Sequence, residues 1–79
     1  FLSLIYKGNI YLYLEEYGSA LEYYKKTSEF IPENKYNSYN CNLKYYLGYC
    51  YQKLGDYEKA MEEYNDGLEI ARVKKINDT

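Results

Sequence analysis

Sliding the chain against itself by 40 positions brings nine identical residues into register between positions 5 and 32. The pairs are Tyr6/Tyr46, Gly8/Gly48, Tyr11/Tyr51, Leu14/Leu54, Tyr17/Tyr57, Ala20/Ala60, Glu22/Glu62, Tyr24/Tyr64 and Glu29/Glu69. The window needs no gap. An internal period of this length marks a repeat architecture, in which each unit buries its apolar face against the next one. The 79 residues hold two such units, and a chain this short buries only a thin core.

Inside each unit the apolar residues recur at intervals of three and four. Leu4, Gly8, Tyr11 and Leu12 form one such set; Ala20, Tyr24, Thr27 and Ile31 form another, and Ala60, Tyr64, Gly67 and Ala71 a third. No alternation of period two competes with this spacing, so the pattern is helical. It predicts helices over residues 2–15, 17–31, 37–54 and 57–75. Pro32 stops the second helix. Gly55-Asp56 supplies a left-handed cap followed by a side-chain N-cap. Glu15-Glu16 stands at the matching place in the first unit, with Gly18 taking up part of the turn. The Asn-rich stretch from Asn34 to Asn42 is a junction between two helical hairpins. Glu22–Lys26, Lys25–Glu29 and Lys59–Glu63 are spaced as i,i+4 ion pairs on solvated faces.

Two glycines, Gly8 and Gly48, fall inside predicted helices, where each costs about 1 kcal/mol relative to alanine. Close packing is the physical reason to keep them. Gly8, Tyr11, Ala20 and Tyr24, with Gly48, Tyr51, Ala60 and Tyr64, are expected in packing. The small residues let helices approach, Tyr24 and Tyr64 fill the space beside them, and Tyr11 and Tyr51 turn towards a neighbouring hairpin. Tyr57 joins the packing set.

Composition removes several classes of function. Histidine is absent, and with it the commonest general base and metal ligand. Cys41 and Cys50 would lie on opposite faces of one helix, too far apart for a disulfide, so both are expected as free thiols. No catalytic constellation, phosphate-cradling loop or metal cluster emerges, and neither enzyme activity nor a cofactor is expected. The net charge is −2 with a single arginine, Arg72, which argues against nucleic acid as a partner. No apolar run reaches the ~20 residues that span a membrane. Free thiols and the lack of a signal-peptide pattern point to the cytoplasm. Asn, Lys, Ile and 14 Tyr residues fit an AT-rich genome, and Phe1 in the first position points to an excerpt of a longer protein.

Leu47-Gly48, Tyr51, Gly55-Asp56-Tyr57, Ala60, Tyr64, Gly67 and Ile70 resemble the tetratricopeptide repeat. Leu4, Gly8, Tyr11, Tyr17, Ala20, Tyr24 and Pro32 carry the same pattern in the first unit. The resemblance implies an all-α fold of helical hairpins stacked as a superhelix, here a fragment with repeat one at 1–34, a junction at 34–42 and repeat two at 41–75. Lys7 and Lys44 depart from the pattern, standing where the family prefers apolar residues. Arg72 stands where the second unit lacks its proline, so the last helix is expected to run on.

The same resemblance implies a concave face that binds a protein or short peptide. Its candidate residues are Ile5, Asn9, Leu12 and Tyr13 in the first unit, and Asn42, Tyr45, Tyr49 and Gln52 in the second, flanked by Leu2 and Lys53. Asn9 and Gln52 would bond a peptide backbone, and Tyr45 and Tyr49 would supply contact area or pack against a further hairpin. Ile5 replaces a lysine that chaperone-tail clamps require, so no clamp of that kind is expected. A 40-residue period and the run from Gly67 to Arg72 are similar to peptide sensors of bacterial helix-turn-helix regulators. The leading expectation is such a transcription regulator, with a constitutive scaffold as the alternative and a docking arm of an enzyme as a third. A homodimer through neighbouring repeats is a further possibility.

Overall fold

The computed structural model describes residues 2–30 and 38–77. Four helices follow one another: α1 (Leu2–Tyr13), α2 (Tyr17–Ser28), α3 (Ser38–Lys53) and α4 (Tyr57–Asn77). No strand occurs among the described residues. α1 packs on α2 and α3 on α4, making two hairpins, and α2 packs on α3 to join them.

Helix starts lie close to the periodicity, but the first three helices end earlier than expected. α1 stops at Tyr13 and α3 at Lys53 because each closes in the same backbone cap. Glu16 N donates to Tyr11 O at 2.9 Å and Glu15 N to Leu12 O at 3.0 Å. One repeat later Asp56 N donates to Tyr51 O at 2.9 Å and Gly55 N to Gln52 O at 3.1 Å. This paired closure satisfies the last carbonyls and requires a left-handed residue after the helix. Gly55 takes that conformation with φ 90°, and Glu15 takes it with φ 61°. The first turn is therefore made by Glu15 alone, and Gly18 lies inside α2 with open space around its Cα.

The two turns differ in what their side chains contribute. Asp56 Oδ1 accepts from Lys59 N at 3.3 Å, whereas Glu16 makes no side-chain cap. Left-handed backbone costs a non-glycine residue about 1–2 kcal/mol, partly balanced by the chain entropy that glycine loses on folding. Glu15→Gly is accordingly expected to stabilise the chain by about 0.5–1 kcal/mol. Urea denaturation followed by circular dichroism measures this, and a loss of stability would show that the Glu15 side chain contributes something else.

α2 ends at Ser28 rather than at 31, with Glu29 N donating to Lys26 O and Phe30 N to Thr27 O as the helix tightens. Pro32 and most of the expected junction fall outside the described residues. Ser38 to Asn42, at the end of the Asn-rich stretch and inside the helix expected over 37–54, are the first turns of α3. α4 continues past Arg72 to Asn77.

The principal core lies at the seam between the hairpins. Ala20 and Tyr24 from α2 meet Leu43, Leu47 and Cys50 from α3, and Tyr11, Leu12, Leu21 and Tyr46 pack against this cluster. Burial pushes the Cys50 thiol up to about 11, so it stays a neutral core group. Cys41 faces the other way, its Sγ donating to Gly67 O at 3.4 Å. Both cysteines are free.

Translation by one repeat shows what this seam hides. Cys50 is fully buried, but its equivalent Ile10 on α1 is 58% exposed. Leu43 and Leu47 are buried, while Ser3 and Lys7 take their places on α1. On α4, Met61 is exposed where Leu21 of α2 packs into the seam. Tyr17 meets Tyr49 edge-on at 6.1 Å, whereas Tyr57, expected in the packing set, is exposed. The difference is positional: α2 has a hairpin beyond it in this chain.

The expected i,i+4 ion pairs are replaced by other contacts. Among the described residues the ion pairs are Lys44 with Glu63 at 3.4 Å, Lys44 with Asp66 at 3.6 Å, and Arg72 with Glu69. Lys25 and Lys59 instead lie over the ring of Tyr51, at 5.6 and 5.7 Å from its centroid. Lys7 and Lys26 lie over Tyr23. A lysine over a ring gains about 0.5–1 kcal/mol at an exposed site, more than the few tenths of a surface i,i+4 pair. Lys44 is tolerated on an apolar face because its stem covers Gly67 while its ammonium reaches the acids of α4.

Candidate partner-binding groove

The groove is built on the two glycines. A Cβ on Gly8 would stand 2.7 Å from Tyr24 Cε1, and one on Gly48 would stand 2.7 Å from Tyr64 Cε1. Each glycine thus receives the tyrosine ring of the second helix in its own hairpin. The contact is helix to ring, not helix to helix.

The ring hydroxyls then bond side chains of the first helix in the same hairpin. Tyr24 Oη donates to Asn9 Oδ1 at 2.5 Å, and Tyr64 Oη donates to Gln52 Oε1 at 2.9 Å. Burial, with the Cys50 and Tyr46 charges behind it, raises the Tyr24 hydroxyl far above its ordinary value. Burial also raises Tyr64, to a lesser degree. Both stay protonated donors, and both side-chain carbonyls are held in place. Asn9 and Gln52, expected to wait for a peptide backbone, are first of all partners of these tyrosines; Asn9 keeps its amide hydrogens for other use.

Between the hairpins lies an open groove of about 620 Å³, lined by Asn9, Leu12, Tyr13, Tyr45, Tyr46, Tyr49 and Tyr64. α1 supplies three of these at i, i+3 and i+4, α3 supplies three at i, i+1 and i+4, and α4 supplies Tyr64. Five residues of the expected concave face come together here: Asn9, Leu12, Tyr13, Tyr45 and Tyr49. Ile5, Asn42 and Gln52 lie outside the lining. Ile5 and Asn42 sit a turn earlier on their helices, and Gln52 is drawn to the hydroxyl of Tyr64. The side chain of Leu2 lies outside what the structure describes.

Tyr46 and Tyr64 complete the groove, although Tyr64 is expected only in packing and Tyr46 only as a repeat match. Tyr46 stacks on Tyr24 with centroids 5.1 Å apart and an interplanar angle of 11°. Tyr64 is tilted by 41° against Tyr45 at 6.2 Å. Tyr46 was accessible as the repeat partner of Tyr6 and Tyr64 as the ring facing Gly48. Tyr11, expected to turn towards a neighbouring hairpin, packs against the seam cluster and also stacks on Tyr23 of its own hairpin at 5.4 Å; Tyr51 lies between lysines of both hairpins.

No side chain lining the groove is charged. The ammonium of Lys53 lies 5.4 Å from the centre of the Tyr49 ring. Tyr13 is 88% exposed and stands as a free wall. Such an arrangement offers ring area and hydroxyl donors, and little to attract a formal charge. Among the described residues no group of three or more His, Cys, Asp or Glu is placed to hold a metal ion. No described helix is long and apolar enough to cross a membrane.

The tetratricopeptide repeat family model matches residues 2–72. Over 67 residues the chain is 39% identical to a Bos taurus protein described as BBSome complex member BBS4. The match covers 85% of this chain and 12% of that protein. No solved structure matches the chain.

Proposed function

The chain belongs to the tetratricopeptide-repeat family, and we propose that it works by holding a protein segment in the groove between its two hairpins. The observation that carries this reading is the convergence of Tyr13, Tyr45, Tyr46, Tyr49 and Tyr64 with Asn9 and Leu12 on one open surface. Rings with a polar tip give large contact area at low entropic cost, which is why they are favoured at interfaces. Several of these groups are already positioned by contacts within the chain, so less ordering is required on binding.

Of the two roles that a holding module serves, we favour assembly. The bovine relative is described as a member of a complex, and a scaffold reading fits that description. The transcription-regulator reading rests on the 40-residue period and the run from Gly67 to Arg72 alone. A cytoplasmic site of action and pairing of two copies through the exposed α1 and α4 faces belong to the same proposal.

Tyr13 and Tyr49 test the groove with little structural cost, because neither is buried. A peptide selected from a random library against the 79-residue chain is expected to bind Tyr49→Ala about tenfold more weakly than the parent. Tyr13→Ala should weaken it by a smaller factor. Isothermal titration with circular dichroism on each variant measures both. Unchanged affinity in two folded variants would place the binding surface elsewhere.

A further inference from the structure

We propose that the groove takes an uncharged, proline-rich segment in the polyproline II conformation. This rests on the groove being the binding surface and adds the chemistry of its occupant. Charge in the groove favours an uncharged occupant. The lining is five tyrosines, one leucine and one asparagine, with no cation for an acidic peptide and no anion for a basic one. The ammonium of Lys53 already lies over the Tyr49 ring. The chain carries a net charge of −2, which disfavours the phosphates of a nucleic acid that would otherwise stack on the rings.

Hydrogen bonding favours an occupant with open backbone carbonyls. A bound helix satisfies its own backbone and would leave the groove hydroxyls facing aliphatic surface. A bound strand needs a sheet edge, and the described elements are all helices. A polyproline II segment is extended and makes no internal hydrogen bonds, so its carbonyls face outward as acceptors. The Asn9 amide and the lining tyrosine hydroxyls other than that of Tyr64, which donates to Gln52, are donors suited to those carbonyls.

The setting of the rings favours proline side chains. Tyr45 and Tyr64 are tilted to each other by 41°, Tyr49 meets Tyr17 edge-on, and Tyr13 projects into solvent. Rings set at angles to one another line the groove, and pyrrolidine rings pack in aromatic-lined peptide grooves. Proline arrives with its backbone already restricted and loses little entropy on binding.

The probe is a capped proline peptide of about three polyproline II turns, titrated against the full chain. The chain contains no tryptophan, so tyrosine emission reports directly. Binding is expected to be about tenfold tighter than for a capped Gly/Ser peptide of equal length or an acidic peptide. It should be insensitive to salt, since no charge pair is formed. Tyr49→Ala should weaken it about tenfold, Tyr49→Phe by a smaller factor, and Tyr57→Ala, on an exposed part of α4, not at all. Absence of binding, or equal affinity for the Gly/Ser peptide, overturns the proposal. If the acidic peptide binds better and Tyr49→Ala weakens it, the groove stands as a binding surface and the polyproline assignment falls. If bound peptides of every class ignore Tyr49→Ala, both fall.

Discussion

Truncating Tyr24 to alanine will destabilise the chain by about 3–5 kcal/mol, the range for removing a large buried ring. Tyr24 is fully buried. Its ring fills the space over Gly8, stacks on Tyr46 of the other hairpin and belongs to the cluster at the seam. Its hydroxyl holds Asn9. One side chain therefore ties α2 to α1 and to α3 at once. A domain of this size has a thin core, and a loss of that size is comparable with the whole stability of a small domain. Tyr24→Ala should show little cooperative unfolding in a thermal scan followed by circular dichroism. Tyr24→Phe should keep the fold and lose about 1 kcal/mol, the net value of one hydrogen bond. Tyr64→Ala is the informative contrast. Tyr64 occupies the same place in its hairpin but is only half-buried, so its loss should cost clearly less. Equal losses at the two sites would mean that the seam is not the main core.

Gly8 and Gly48 supply the second large effect, and it differs in size between chemically equivalent positions. Each would bring an added Cβ to 2.7 Å from a ring carbon, closer than any relaxed contact. Against that, alanine in a helix interior gains about 1 kcal/mol over glycine. The outcome turns on whether the ring can move. Tyr24 is enclosed on every side, so Gly8→Ala must strain the seam, and overpacking costs about 1–3 kcal/mol. A net loss of about 1–2 kcal/mol is expected at Gly8. Tyr64 borders the open groove and can tilt away, so Gly48→Ala should be nearly neutral. The tilt would also disturb the groove, so Gly48→Ala should weaken peptide binding without loss of stability. Gly48→Leu exceeds what a tilt can absorb and should destabilise by more than about 1 kcal/mol. Chemical denaturation of the three variants decides this. Equal penalties for alanine at Gly8 and Gly48 would remove ring mobility as the explanation.

Much of the fold is legible in the residues because it depends on local periodicity. Nine identities at a spacing of 40 define the repeat, and intervals of three and four define helices in it. The pairing of Gly48 with Tyr64 follows from the same pattern, since both units repeat the small residue and the ring together. Helix ends were less legible. Glu15 adopts the left-handed conformation of Gly55 although its residue type disfavours it, because the closure of α1 and the docking of α2 impose the turn. The lysine contacts were also hidden. Spacing along one helix suggests carboxylate partners, while Tyr51 receives Lys25 from a different hairpin.

The candidate site divides along the same line. Asn9, Leu12, Tyr13, Tyr45 and Tyr49 are found from the helix face that the repeat assigns to the concave side. Ile5 and Asn42 share that assignment and are left out of the groove, while Tyr46 and Tyr64 enter it. A groove is made where side chains of separate helices meet, and one-dimensional spacing holds no record of that meeting. The amino-acid order alone determined the repeat, the helices, the glycine–tyrosine pairs and the absence of histidine chemistry, because each is a property of residues near in sequence or of residue type. Only the tertiary structure decided which tyrosines are walls and which are core, because that depends on whether a second hairpin covers the ring.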